Sequence, residues 1–182
     1  MQLTVKSRKE RNTKKIRREG QIPAVLYSKG DKGQDIQLSA NDFQKILNKI
    51  PKGTLSSKVF ELDVDGKKKR AIVKDIQYHV TTYNILHLDF AELHDDVPVK
   101  LNIPVKLTNA VDCAGVKLGG ILRQVVRQMK VKTLPKSIPD CFEIDVLNME
   151  LGQSKRLSEI KIPEGVVPVE NLNNVAVIVA RR

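Results

Sequence analysis

Phe60-Glu61-Leu62-Asp63-Val64-Asp65-Gly66 decides the architecture of the first half of this chain. Phe60, Leu62 and Val64 alternate with three acidic residues, the period of a strand with one buried and one wet face. Asp65-Gly66 follows at once, and this dipeptide between strand patterns signals a tight hairpin. The return strand runs over 70–78, and a further strand carries Leu86, Leu88 and Phe90 on one face. Upstream, Ser39 precedes Phe43, Ile46, Leu47 and Ile50 at helical spacing, and Pro51-Lys52-Gly53 stops that helix. Residues 2–6 and 22–27 read as short strands. The first half is therefore strands around one clear helix.

The second half is a series of short β patterns at 97–107, 121–133, 141–147 and 174–180, punctuated by Pro104, Pro135, Pro139, Pro163 and Pro168. Helix is expected there only around Ser158 or in one or two short turns. Glu92-Leu93-His94-Asp95-Asp96 is an acidic patch between the two patterns, so the boundary falls at 92–97, giving domains 1–94 and 95–182. Aromatic residues mark the same division, because Phe142 alone lies in the second half.

The 182 residues carry a net charge of +11, which points to a polyanionic partner. Residues 1–94 hold 19 basic and 11 acidic side chains. The excess concentrates in Arg8-Lys9-Glu10-Arg11-Asn12-Thr13-Lys14-Lys15-Ile16-Arg17-Arg18-Glu19-Gly20, with eight basic residues inside 6–18. Arg11, Lys14, Lys15 and Arg18 share one face of a short helix that Gly20 would end. Guanidinium forks and ammonium charges at that density suit phosphate oxygens. A merely solvated basic arm is the competing reading. Lys67-Lys68-Lys69-Arg70 forms a second cluster, equally readable as an exposed turn or a further phosphate contact.

Strand alternation also puts His87 and Asp89 on the face opposite Leu86, Leu88 and Phe90, and groups Asp75, Gln77 and His79 on the neighbouring strand. If these strands pair, the result is a polar patch able to hydrogen-bond base edges or ribose hydroxyls of RNA. An ordinary wet strand face is the alternative. Enzyme chemistry has no foothold: His87-Leu88-Asp89 matches no metal spacing, and no serine or cysteine sits in a nucleophile turn. Gly115-Val116-Lys117-Leu118-Gly119-Gly120 lacks the ending of a phosphate-binding loop. No signal-peptide core is present at the N-terminus, and the longest apolar run, Val175 to Ala180, has six residues against the ~20 of a spanning helix. Cys113 and Cys141 have no nearby Cys or His, so two free thiols in a reducing compartment are expected.

Three ordered blocks carry a resemblance. Lys14-Lys15-Ile16-Arg17-Arg18-Glu19-Gly20-Gln21-Ile22-Pro23-Ala24-Val25-Leu26-Tyr27, then Val73-Lys74-Asp75-Ile76-Gln77, then Ile85-Leu86-His87-Leu88-Asp89-Phe90 resemble the bacterial large-subunit ribosomal protein 25 family. Leu134-Pro135, Ile138-Pro139, Ile144-Asp145-Val146 and Ile162-Pro163-Glu164-Gly165-Val166, with the glycine segment at 115–120, resemble its long form, known as CTC or general stress protein. The likeness covers nearly the whole chain in motif order. It implies a mainly β protein with a few helices: an N-terminal small closed β-barrel, then a separate β-rich C-terminal domain.

The resemblance further implies binding of 5S rRNA by the N-terminal domain, at the loop E region from the minor-groove side. Carried over by motif, the contacts are Arg8, Lys14, Arg17, Tyr27, Gln77, His87 and Asp89; the basic run adds Arg11, Lys15 and Arg18. This sequence departs from many members at Arg11-Asn12-Thr13, where they carry Gly-Lys-Gly, and Lys14-Lys15 replaces a usual arginine pair, keeping charge without the fork. The expected protein is a non-enzymatic, cytoplasmic component of the large ribosomal subunit. It needs no cofactor, metal, membrane or small-molecule substrate, and neighbouring ribosomal proteins are further candidate partners. Two alternatives share the composition: a general RNA-binding stress factor acting off the ribosome, and a protein–protein adaptor working through the C-terminal domain.

Overall fold

In the computed structural model, which describes residues 1–8, 12–28, 33–51 and 53–181, Asp65 and Gly66 take φ of 50° and 86°. Positive φ at both central positions is what a two-residue hairpin matched to strand twist requires. Around this turn the chain forms a first unit, Met1–Val97. Its strands are β1 (Gln2–Ser7), β2 (Gln21–Tyr27), β3 (Gln34–Ser39), β4 (Val59–Val64), β5 (Lys67–Tyr78) and β6 (Ile85–Glu92), with helices α1 (Thr13–Arg18) and α2 (Ala40–Lys49).

The six strands close into a barrel in the order β1-β3-β2-β6-β5-β4. Closure comes from β1 and β4, which pair in parallel with Leu3 opposite Leu62, so neither strand is left as an edge. Alternation turns Leu3, Val5, Ile36, Leu38, Phe60, Leu62, Leu88 and Phe90 inward, each at most 4% exposed. Phe60 stands at the centre, 6.4 Å from the ring of Phe43 and edge-on to Phe90 at 6.3 Å. Phe43 arrives on α2, whose N-terminus is capped by the Ser39 hydroxyl accepting from the Asp42 amide at 3.4 Å. Each such ring contributes about 1.5–3 kcal/mol by burial.

The strand β3 has no counterpart among the expected elements. Only Ile36 and Leu38 in Gln34–Ser39 are apolar, too short an alternation to stand out beside the helix that follows. Yet β3 sits between β1 and β2 and pairs antiparallel with both.

The second unit, Pro98–Arg182, contains β7 (Val99–Thr108), β8 (Ile121–Gln124), β9 (Gln128–Thr133), β10 (Phe142–Asp145), β11 (Ser154–Arg156), β12 (Val166–Pro168), β13 (Val175–Ala180) and the four-residue helix α3 (Ala114–Lys117). One sheet runs β10-β7-β9-β12 and the other β11-β13-β8. The pattern over 121–133, expected as one segment, is two strands because the chain changes sheets between them. Val125 and Val126 both donate to the Ala176 carbonyl, at 2.9 and 3.2 Å, whereas Arg127 accepts from Val105 at 2.9 Å. Gln124 secures the crossing with Nε2 bonds to the carbonyls of Val105 (2.7 Å) and Val126 (3.1 Å). Around Ser158 the chain makes a single 3-10 turn, Leu157–Glu159. Gly120 is required by close approach: a Cβ there would lie 2.6 Å from the Leu151 side chain and 2.7 Å from the Gly115 carbonyl. Both cysteines are free thiols, and Cys113 is fully buried.

The chain matches the expected class: a closed β-barrel followed by a separate β-rich unit. No helix among the described residues is long and apolar enough to cross a membrane.

Candidate nucleic-acid interface

On the outside of the barrel, β2, β6 and β5 lie side by side. Gln77 of β5 is directly opposite His87 of β6, and Asp75 is opposite Asp89. The pairing shifts between Val73 and Asp75, leaving Lys74 as an extra residue, a bulge that twists the strand locally. His87 Nδ1 is 2.8 Å from the Asp89 carboxylate, with the two side chains 22% and 25% exposed. A carboxylate only accepts, so this contact places an imidazole proton on Nδ1. Four of the expected residues are thus brought onto one face, because Tyr27 ends β2 beside Ala91 of β6. Its ring, 44% exposed, lies over Gly33, where an added Cβ would come within 3.2 Å of the ring carbons.

Beside this face stands α1. Asn12 caps it by accepting from the Lys15 amide at 3.4 Å, and Glu19 and Gly20 close it with bonds to Lys15 and Arg17 carbonyls. Gly20 takes φ of 73°, as expected of a glycine ending a turn. Buried Ile16, 2% exposed, anchors the helix, and Lys14, Lys15, Arg17 and Arg18 are exposed around it. Basic side chains in the last turn also favour the negative end of the helix dipole. Arg17 Nε donates to the Leu86 carbonyl at 3.1 Å, tying the helix to the start of β6 and leaving its two terminal nitrogens for another acceptor. Arg11 lies outside the described residues.

Three other expected groups are placed elsewhere. Arg8 is held at 2.7 Å by Asp35 of β3 and its side chain is only 12% exposed, so much of its charge serves the barrel wall. His79 does not join Gln77 and Asp75. The ladder shifts between Gln77 and Tyr78, and the His79 ring turns into the β5–β6 tip, where Nδ1 meets the Thr81 hydroxyl at 3.0 Å and the Thr82 amide at 3.3 Å. In the 67–70 cluster, Lys69 pairs with Glu92 at 3.1 Å and Arg70 with Asp95, so two of its four charges are answered within the unit. Exposed aromatics at the same tip escaped the sequence reading: Tyr78 is 48% and Tyr83 78% exposed, the latter with φ of 55°. Burial of its surroundings pushes the Tyr78 phenol above its ordinary value. The available signal was two tyrosines bracketing a polar tip. Among the described residues no group of three or more His, Cys, Asp or Glu is arranged to hold a metal ion.

Two family patterns match the chain in succession. The Ribosomal L25p family covers residues 3–90, and the C-terminal domain of ribosomal protein TL5 covers residues 98–182. The chain is 52% identical over 185 residues to the large ribosomal subunit protein bL25 of Chlamydia muridarum, covering 100% of both chains. It is 52% identical to that of Chlamydia trachomatis serovar D and 50% to that of Chlamydia pneumoniae, again over 100% of each.

Proposed function

Because the chain belongs to the Ribosomal L25p family, a family of ribosomal proteins and not of enzymes, we propose that it serves the large ribosomal subunit by binding 5S rRNA through its barrel. The site on the RNA is the loop E region, approached from the minor-groove side. The single observation that carries the reading is the ladder of Gln77, His87 and Asp89 beside the cationic helix α1.

The chemistry is recognition without turnover. A-form RNA offers a wide, shallow minor groove lined with 2′-hydroxyls and base edges, which a flat strand face can meet. Nε2 of the neutral His87 ring and the outer lone pairs of Asp89 accept from hydroxyl or amino groups, and the Gln77 amide both donates and accepts. Tyr27, steadied by Gly33, adds a flat ring and a phenol. Lys14, Lys15, Arg17 and Arg18 supply phosphate contacts, which orient the protein and carry most of the affinity. Arg8, largely committed to Asp35, contributes to the wall beneath these contacts. The barrel domain, 1–94, does this work, and 95–182 is an accessory domain.

The test is titration of the full chain against labelled 5S rRNA and against an unrelated hairpin of equal charge. Strong preference for 5S rRNA, abolished in His87→Ala/Asp89→Ala, is the expected result. Equal binding of both RNAs by the wild-type chain would overturn the proposal and leave a general RNA-binding protein. With about four phosphates neutralised, affinity should fall roughly a hundredfold between about 50 and 200 mM salt.

A further inference from the structure

The second unit carries its own charge anomaly. In the sheet β10-β7-β9-β12, Lys100 of β7 lies directly opposite Lys132 of β9, and Lys130 sits two residues along, opposite Asn102. All three lysines are exposed, whereas their neighbours Leu101, Met129 and Val131 are buried, so the lysines share the outer face. Like charges directly opposed across strands repel and destabilise a sheet. Here no carboxylate relieves them: none of the three has an ion-pair or hydrogen-bond partner among the described residues. The acidic residues of β10 are Glu143, opposite Lys106, and Asp145, opposite Thr108, about 20 Å or more along the strand from Lys100.

Lysines on a sheet often guard an edge against pairing with another chain. That role could fit Lys100 alone, because β10 pairs with β7 only from Val105 to Thr108; Lys130 and Lys132 stand on β9, which is flanked by β7 and β12. On the β12 side the face continues into Val167, opposite Lys132 and 61% exposed, so it offers methylene and methyl surface between charges.

We propose that this face is a second RNA-binding surface, taking the phosphate backbone of a paired segment without reading its sequence. A polyanion lying across both strands would relieve the repulsion between Lys100 and Lys132, and ammonium groups act there as point charges suited to phosphate. The proposal rests on the second unit alone and stands apart from the reading of the barrel.

The experiment uses the full chain and a fully paired 20-base-pair RNA duplex with no internal loop, titrated by anisotropy across a range of salt. In Lys100→Gln/Lys130→Gln/Lys132→Gln, affinity should drop at least about tenfold and the slope of log affinity against log salt should flatten by two to three, about one for each lost phosphate contact. The same variant should keep the wild-type ratio of 5S rRNA to hairpin affinity, while His87→Ala/Asp89→Ala keeps the wild-type salt slope on the duplex; these arms separate the two surfaces. Thermal melting guards against simple unfolding: Lys100→Gln should hold or raise Tm, because it removes repulsion. An unchanged slope in the triple variant would overturn the proposal, as would a lowered Tm for Lys100→Gln. So would an equal loss of binding to labelled polyglutamate, which would make the face a site for an acidic protein.

Discussion

Asp89→Ala separates recognition from simple charge attraction, because its two expected effects have opposite signs. The carboxylate holds the His87 ring through a 2.8 Å contact and lies across the ladder from Asp75. Removing it deletes one acceptor that the proposed RNA contact would use and frees the imidazole to rotate and to place its proton on either nitrogen. Each donor left unpaired at the interface costs about 1–3 kcal/mol, and partly exposed contacts fall at the low end, so the two together should cost about 2–3 kcal/mol of 5S rRNA affinity, roughly 30- to 150-fold. The unrelated hairpin should bind as well or slightly better, since a negative charge has left a face beside α1. The salt slope on 5S rRNA should stay unchanged, because Asp89 neutralises no phosphate. Stability should move by less than about 1 kcal/mol, as the pair is partly exposed and the loss is offset by relieving the Asp75–Asp89 opposition. Parallel anisotropy titrations of both RNAs at three salt concentrations, with a urea melt of the same protein, measure all four quantities. Loss of the same factor on both RNAs would refute the reasoning, since it would mean that Asp89 supports the fold and reads nothing.

Three further outcomes follow from particular contacts. Gly33→Ala would bring a methyl within 3.2 Å of the Tyr27 ring and 3.0 Å of Val25, so the exposed ring should swing away; 5S rRNA titration should show a loss matching that of Tyr27→Ala, with little change in a thermal melt. Phe60→Ala empties the centre of the barrel between Phe43 and Phe90 and should cost about 3–5 kcal/mol in urea unfolding of the first unit. In the second unit, the Asn109 side chain and the Leu147 amide hold the Asp145 carboxyl below its ordinary value. Asn109→Gly keeps the positive φ of 58° but removes the main donor, so carbon-detected NMR should show the Asp145 pKa rising. A depressed carboxyl adds stability above its unfolded pKa and loses it as pH falls through the folded one; the variant should therefore show a shallower loss on the acid side.

The alternating Phe60–Val64 segment with its Asp-Gly turn, the capped helix α2 and the two-faced strand β6 depend on neighbours a few residues away. Their periods and turn chemistry are local, so they could be read directly. The cationic character of 6–18 was legible for the same reason, and so was the polar side of β6. Which strand lies beside which is another matter. Gln77 meets His87 only because β5 and β6 pair with a bulge at Lys74, and a bulge leaves no clear mark in composition.

Arg8 shows the limit most plainly. By itself it belongs to the basic run, yet β3 brings Asp35 to within 2.7 Å and commits the guanidinium to the wall. The same holds for Lys69 with Glu92, and for Lys100 with Lys132, where folding sets one charge against another of the same sign. Composition and period settled that this chain is basic, β-rich and built in two parts. Which charges are answered inside the protein and which are left for a partner was decided by long-range strand pairing, since a side chain's electrostatic surroundings are set by residues tens of positions away.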